Sequence, residues 1–239
     1  MFDFTDQVVL VTGGSGNLGR AVVQAFHAAG ARLIAPDRSV GRLAAQFPAL
    51  AQSDAHWLAE GVDVTEPADM AALTAEIKRR FGRVDVLANT VGGYRAGAPL
   101  HLTPLDVWTA MINLNARSVF VTSQAVIPLM LAQGSGRLIH TAARAALAGG
   151  AQAAAYSASK SAVLRLVESM AAELKDAGIT VNCPARLIHR PTGRPRPPQT
   201  SAVGWRPRPW RMLFFFSPPL PRAPSAALPF LCTEGAEDL

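Results

Sequence analysis

A tyrosine and a lysine four residues apart, Tyr156 and Lys160, are the side chains that most directly indicate chemistry in this sequence. They lie in a segment with helical periodicity, and residues four apart share one face of a helix. The phenol and the ammonium would therefore project into the same cleft. A free tyrosine has a pKa of about 10. A nearby ammonium favours the phenolate, so we expect Lys160 to lower the pKa of Tyr156 towards the range of a general acid or base.

A glycine-rich turn near the N-terminus predicts a phosphate-binding site. An apolar run, residues 7–12, leads into the turn at 13–19, and a helical pattern follows. Glycines permit a tight turn and the close approach of a pyrophosphate, and a helix N-terminus offers free N–H groups and the positive end of its dipole. An ordinary glycine-rich loop would look the same in isolation. The prediction of a dinucleotide site therefore depends on the residues around the turn.

An acidic residue then follows at the end of the second predicted strand. Asp37 lies 18 residues after Gly19. A carboxylate at this place accepts hydrogen bonds from both ribose hydroxyls of NAD and repels the 2′-phosphate of NADP. The neighbouring Arg38 would favour NADP instead. Because Asp37 occupies the discriminating strand-end position, we expect NAD(H) to be preferred over NADP(H).

Through about residue 183, the chain resembles the short-chain dehydrogenase/reductase family. The turn is similar to the family motif TGxxxGxG, with Asn17 in place of the middle glycine, and Tyr156 and Lys160 match its YxxxK motif. The stretch YSASKSAVLRLVESMAAELKDAGITVN is similar to the family over its whole length. This resemblance implies that Tyr156 transfers a proton, and that Lys160 tunes it and also holds the nicotinamide ribose.

Further site residues are implied by the same resemblance. Asn113, in INLN, matches the family's helix asparagine, which supports a proton-relay water. Thr90 and Val91 depart from the family's NNAG motif. The residues implied to contact the cofactor are Gly13, Ser15, Gly16, Asn17, Leu18, Gly19, Asp37, Asp63, Val64, Asn89, Gly92, Tyr156 and Lys160.

One residue that the family usually has is missing. Its serine, 13 residues before the tyrosine, is replaced by Ala143. The lost hydroxyl would hydrogen-bond the reacting carbonyl oxygen, and losing one such donor typically costs ~3 kcal/mol of transition-state stabilisation. The dihydropteridine reductase branch also relies on the tyrosine and lysine without that serine, and it prefers NADH. Residues 91–97 and 141–150 resemble that branch, so a pterin-like substrate is one hypothesis.

The order of predicted elements indicates one α/β domain over residues 1–183. Apolar, β-rich runs alternate with longer helical patterns, which predicts a Rossmann-type, doubly wound parallel sheet with helices on both faces. The predicted strands are 7–12, 31–36, 57–62, 84–89, 136–141 and 178–182. The predicted helices are 17–29, 40–50, 66–82, 104–131 and 155–177.

Composition narrows the choice of function class. The 239 residues are 49% hydrophobic, yet no apolar run reaches the ~18 residues of a membrane span, and the N-terminus does not resemble a signal peptide. The two cysteines form no disulfide framework or metal-ligand cluster, so we expect a cytoplasmic protein without a metal. The net charge of +6 suggests nucleic acid, but residues 1–183 carry 15 Lys/Arg and 14 Asp/Glu. Since the excess lies in the tail, we expect neither a nucleic-acid nor a membrane partner.

The tail, residues 184–239, departs from the family pattern. Twelve of the 18 prolines lie between 184 and 229, among strongly apolar stretches. One coding sequence for TSAVGW, read one base over, gives Asp-Phe-Ser-Arg-Trp-Val, which resembles the substrate loop of dihydropteridine-reductase-like members. The tail is therefore interpreted as a frameshift from about residue 184 to the 220s, and the alternative is a genuinely divergent tail.

Two functions follow from these observations. The first is an NAD(H)-dependent oxidoreductase that transfers a hydride between nicotinamide and a carbonyl, alcohol or pterin-like small molecule. The second is a cofactor-binding protein of the same fold with little or no activity, which the missing serine and the aberrant tail favour. The resemblance also implies a homo-oligomer, a dimer or tetramer built on the helix of the YxxxK motif and the helix at 104–131.

Overall fold

The computed structural model describes residues 2–184, which form a six-stranded sheet in the order β3-β2-β1-β4-β5-β6. All neighbouring strands are parallel. The strands are β1 (Val8–Thr12), β2 (Arg32–Asp37), β3 (Trp57–Glu60), β4 (Val86–Asn89), β5 (Gly136–His140) and β6 (Ile179–Asn182). The predicted doubly wound parallel sheet is confirmed, with each strand within two residues of its predicted bounds at either end.

Helices between the strands complete the α/β pattern. They are α1 (Asn17–Ala28), α2 (Arg42–Gln46), α3 (Pro48–Ala51), α4 (Pro67–Phe81), α5 (Leu105–Met111), α6 (Ser118–Gln133) and α7 (Ala154–Leu174). Every residue of β1 and of β4 is buried, because helices cover both faces of the sheet. The core therefore fixes the central strands, and with them the loops at their carboxyl ends.

The predicted helix at 40–50 is two short helices. Proline lacks an N–H group and restricts the residue before it, so a helix ends before Pro48 and a new one begins there. Phe47 has a φ of −132° and a ψ of 61°, which is not helical, and Pro48 is the first residue of α3.

The predicted helix at 104–131 contains a π-helical segment, Ile112–Arg117, between α5 and α6. Such segments are rare, and they are frequently found at functional sites. An extra residue in the turn rotates the side chains that follow it around the helix axis. Of the two asparagines in the segment, Asn115 is buried and Asn113 is partly exposed.

The strand order reverses next to β1, which pairs with β2 on one side and with β4 on the other. In open α/β sheets of this kind, ligands bind in the crevice at the carboxyl ends of the strands where the order reverses. Thr12 and Asn89 end β1 and β4 at this point and are register partners. Both are buried, so this polar pair lies beneath the crevice.

No helix among residues 2–184 is long and apolar enough to cross a membrane. The tail predicted to be frameshifted lies outside the described residues apart from Pro184. That interpretation, and the boundary at 183/184, stay predictions.

A buried histidine, His140, makes the fold sensitive to acid. Its Nε2 lies 3.2 Å from Ser123 Oγ, and within residues 2–184 its Nδ1 has no hydrogen-bond partner. Complete burial lowers its pKa to about 3. The unfolded chain has the ordinary histidine pKa of about 6.5, so the folded state binds fewer protons, and stability is lost as pH falls from that value towards 3.

We expect His140→Asn to flatten this acid dependence. Between pH 6 and pH 4 the variant's free energy of unfolding should fall less steeply than wild type's, by about 1.4 kcal/mol per pH unit. Urea unfolding at several pH values measures the slope. Ser123→Ala is the matched control, because it removes the partner and keeps the imidazole, so it should keep the slope. An unchanged slope in His140→Asn would contradict the assignment.

Candidate active site

The glycine-rich turn after β1 is closely packed against the residues that follow β4. Gly13 has a φ of +72°, and a Cβ there would lie 2.9 Å from the nitrogen of Val91. A Cβ on Gly19 would overlap the carbonyl oxygen of Gly13 and lie 2.7 Å from Thr90 Oγ1. Both positions therefore require glycine, and the turn leaves its backbone open to a ligand.

The turn ends in a helix N-terminus suited to an anion. Helix α1 begins at Asn17 after Gly16, no side chain caps it, and its first turn has no acidic residue. Free N–H groups therefore remain together with the positive end of the helix dipole. Asn17 is an exposed residue of the helix itself and does not have a positive φ. Asparagine therefore fits at the place of the family's middle glycine. It does so in an ordinary helical conformation, so its tolerance of the left-handed region is not needed.

Asp37 ends β2 beside the crevice. Its Oδ1 accepts a hydrogen bond from the Ser39 N–H at 2.8 Å. The neighbouring Arg38 points instead to Asp63, with Arg38 Nη1 3.5 Å from Asp63 Oδ2. Burial raises the pKa of the Asp63 carboxyl, but hydrogen bonds from Thr65 and the charge of Arg38 outweigh it, so the net pKa is lowered. Asp63 is thus charged and forms an ion pair with Arg38.

Asn89 forms hydrogen bonds with several elements beneath the crevice. Its Oδ1 accepts hydrogen bonds from Thr12 Oγ1 at 2.8 Å and from the Val91 N–H at 3.2 Å. Its Nδ2 donates to Thr122 Oγ1, and its carbonyl oxygen accepts from Thr141. The Asn89 side chain therefore joins β1, the β4 loop and α6 through both acceptor positions of its oxygen and one amide hydrogen. It shapes the crevice rather than pointing into it.

Lys160 lies on α7, at the side of the crevice. It is 4% exposed, and its Nζ donates to the carbonyl oxygen of Thr141 at 2.7 Å. A Cβ on Gly92 would lie 3.3 Å from Lys160 Nζ and 2.8 Å from Asn115 Oδ1. The absence of a side chain at Gly92 therefore lets its backbone lie close to both the Lys160 ammonium and the Asn115 amide.

The pKa of Tyr156 differs from the expectation. Burial raises it above the ordinary tyrosine value, and Tyr94 adds to the shift. The expected lowering by Lys160 is not found. The ammonium donates to the carbonyl oxygen of Thr141, and burial lowers its own pKa to about 8. Tyr156 is consequently a protonated phenol at neutral pH.

The asparagine beside Lys160 is Asn115, not Asn113. Asn115 is completely buried, and its amide hydrogen-bonds the backbone of Gly93 in both directions and donates to Ser159 Oγ at 3.0 Å. Asn113 is partly exposed, and none of the side-chain hydrogen bonds of residues 2–184 involves it. The motif INLN offers two asparagines, and only the π-helical phase decides between them.

The position of the missing serine is taken by Ala143, which precedes a short 3-10 turn, Arg144–Ala146. The nearest hydroxyl in sequence, Thr141 Oγ1, donates to the carbonyl oxygen of Asn89 at 3.0 Å. Its hydrogen is therefore already used, so Thr141 does not replace the serine as a donor.

Comparisons with known proteins decide the family. A sequence model described as short chain dehydrogenase matches residues 7–187. The chain belongs to the short-chain dehydrogenase/reductase family. It is 34% identical over 187 residues to (2S)-[(R)-hydroxy(phenyl)methyl]succinyl-CoA dehydrogenase subunit BbsD of Thauera aromatica, covering 78% of this chain and 75% of that protein. It is 33% identical over 186 residues to a 3-oxoacyl-[acyl-carrier-protein] reductase of Synechocystis sp., covering 77% and 75%.

A solved structure supports the same family. The chain is 30% identical to a short-chain dehydrogenase from Streptomyces avermitilis, with a TM-score of 0.69, over 74% of this chain and 64% of that one. Members of this family are oxidoreductases that bind a nicotinamide cofactor, so this protein is one of them. The dihydropteridine reductase branch stays a prediction.

Replacing each asparagine of the π-helical segment should separate their roles. Asn115→Ala breaks the bonds to Gly93 and Ser159 and leaves buried polar groups unpaired, which costs about 1–3 kcal/mol of stability per group. We expect a lower free energy of unfolding and weaker nicotinamide binding, because Gly92 and Lys160 lose their alignment. Urea unfolding and cofactor titration measure the two effects. Asn113→Ala is the control, and an equal loss in both variants would contradict the assignment.

Proposed function

We propose that this chain is an NAD(H)-dependent oxidoreductase that uses Tyr156 as its general acid. The observation that carries the proposal is that Lys160 lies against Gly92 after β4, while Tyr156, one turn earlier on α7, contacts Tyr94 of the same loop. A proton donor, a cation and an open phosphate-binding turn are what hydride transfer to a carbonyl needs.

The residues of the crevice fit a dinucleotide. Gly13 and Gly19 let the turn pack closely against its own backbone and against Thr90 and Val91. The start of α1 has no side-chain cap, so its free N–H groups would bind the pyrophosphate. Asp37 would accept the ribose hydroxyls at the adenine end, and the main chain at Asp63 and Val64 would border the adenine. Lys160 would hold the nicotinamide ribose. The proposed contacts thus run along one line of strand ends, from β3 to β5.

The proton chemistry follows from the protonation of Tyr156. A bound nicotinamide supplies or accepts the hydride. Tyr156, whose raised pKa keeps it protonated, donates its proton to the carbonyl oxygen of the substrate as that oxygen gains negative charge. Lys160 supplies the positive charge beside it, and Asn115 holds the loop of Gly92 and Gly93 in place. At neutral pH the site is therefore set for reduction.

A cofactor-binding protein with little activity is the second candidate. Ala143 supports it, because the substrate oxygen receives a hydrogen bond from Tyr156 without the second donor of the family. A pterin-like substrate of the dihydropteridine reductase branch is compatible with the same absence. The experiments below separate an efficient reductase from a protein that only binds cofactor.

We also propose a cytoplasmic homo-oligomer, a dimer or tetramer built on α6 and α7. The exposed Phe120 and Leu131 on α6 support it, since large apolar side chains on one helix are typical of a covered surface. Light scattering measures the mass directly.

The proposed function leads first to a prediction about cofactor choice. We expect NADH to bind at least about tenfold more tightly than NADPH, because a carboxylate at Asp37 repels a 2′-phosphate and loses its ribose hydrogen bonds. Asp37→Ser should abolish the difference. Calorimetry with both cofactors measures it, and equal affinities in wild type would exclude Asp37 from this role.

The second prediction concerns the proton donor. Tyr156→Phe removes only the hydroxyl, so ketone reduction should slow by ~100-fold or more while NADH affinity stays within about twofold. Lys160→Ala should weaken both. Steady-state rates with small ketones and quinonoid dihydropterin, together with NADH titration, test this. A normal rate in Tyr156→Phe would show that the proton comes from another group.

A further inference from the structure

A second tyrosine, Tyr94, stands beside Tyr156 at the crevice. The two ring centroids are 4.7 Å apart and the ring planes are nearly perpendicular, at 83°. Tyr94 is 68% exposed, whereas Tyr156 is partly buried. The edge-to-face contact occupies one part of the Tyr94 ring and leaves most of its surface open, next to the phenol that a substrate must reach.

The backbone holds Tyr94 in this place from both sides. On one side, the Gly93 N–H donates to Asn115 Oδ1 and the Gly93 carbonyl accepts from Asn115 Nδ2, both at 3.1 Å. On the other side, the Gly97 N–H donates to the carbonyl oxygen of Gln152 at 2.9 Å. Tyr94 therefore belongs to a short segment anchored to the π-helical turn and to the loop just before Tyr156.

Gln152 supports this anchor at an energetic cost. Its φ of 60° places it in the left-handed region, which a residue with a side chain adopts only when the surroundings impose it. The same connection between β5 and α7 is also bonded to the helix, because Ser161 Oγ of α7 donates to the carbonyl oxygen of Ala146 at 3.1 Å. The connection before Tyr156 is thus joined to the Tyr94 segment at Gln152 and to α7 at Ala146.

Because the hydroxyl at position 143 is missing, the orientation of the substrate depends on other contacts. With two hydrogen-bond donors, a carbonyl oxygen is fixed in both position and orientation. With Tyr156 alone, one hydrogen bond fixes the distance, and the rest of the substrate can still rotate about it. A flat surface beside Tyr156, carried on an anchored backbone, reduces that freedom by contact.

We propose that Tyr94 is the specificity-determining wall of the substrate site and that it selects a substrate with a planar aromatic ring on the reacting carbonyl carbon. The exposed part of a tyrosine ring packs in offset or edge-to-face fashion with another planar ring, which stabilises the pair beyond the area that it buries. A puckered aliphatic ring of the same size does not form this contact. The inference rests on the proposed oxidoreductase function and names the substrate class of the same site.

Two matched ketones test the proposal on the full-length chain with NADH. Acetophenone and cyclohexyl methyl ketone share a skeleton and differ in the planarity of the ring. In wild type we expect kcat/KM to favour acetophenone, after correction for the two ketones' intrinsic reactivity with borohydride. Tyr94→Phe should keep this preference, and Tyr94→Leu, which keeps an apolar side chain without a ring, should reduce it about threefold to tenfold.

Binding gives a readout that does not depend on turnover. Saturation-transfer difference NMR on the NADH-bound protein compares the affinities of the two ketones in wild type, Tyr94→Phe and Tyr94→Leu. Circular dichroism confirms that each variant is folded. If wild type binds acetophenone preferentially and Tyr94→Leu does not, while neither ketone is reduced, the wall is supported and the oxidoreductase proposal fails.

Two results would overturn the wall itself. One is a preference for acetophenone in Tyr94→Leu equal to that of wild type. The other is an equal gain in the rates of both ketones in Tyr94→Leu, since this would show that Tyr94 covers the site instead of selecting its ligand.

Discussion

The site depends above all on the hydrogen bonds of one buried amide, that of Asn89. It ends β4 next to β1, where the strand order reverses, and it binds Thr12, Thr122 and the backbone of Val91 at once. The glycine-rich turn follows Thr12, and the loop of Gly92 and Tyr94 follows Asn89 itself. Because a buried polar group without partners costs about 1–3 kcal/mol, this network holds the two loops in one relative position.

A second constraint is the burial of a cation. Lys160 is almost completely buried, and its ammonium donates to the carbonyl oxygen of Thr141. Burial lowers its pKa and raises that of Tyr156, so both groups move away from the charged form. At neutral pH the phenol therefore carries its proton, as the proposed role of Tyr156 as a general acid requires.

Local pattern was enough to predict most of the fold. Apolar runs such as Val8–Thr12 and Val86–Asn89 are too uniform for a half-exposed strand, so a sheet covered on both faces was predictable. Pro48 indicates the break between α2 and α3, since proline restricts the residue before it. The helical periodicity of 40–50 nevertheless suggested one continuous helix. The π-helical segment at Ile112–Arg117 could not be predicted from the sequence, because no residue type in it distinguishes a π-helical turn from an α-helical one.

The sequence by itself determined the family and the identity of the groups that could do chemistry: Tyr156 and Lys160 on one helical face, the turn at 13–19, and Asp37 at a strand end. These follow from residue type and short spacing, which the chain carries without folding. Tertiary structure decided which asparagine lies beside Lys160, where Arg38 is held, in which direction the pKa of Tyr156 moves, and that Tyr94 stands against it. Each of these depends on burial or on contact between distant segments, and such contacts exist only once the sheet has brought its strand ends together.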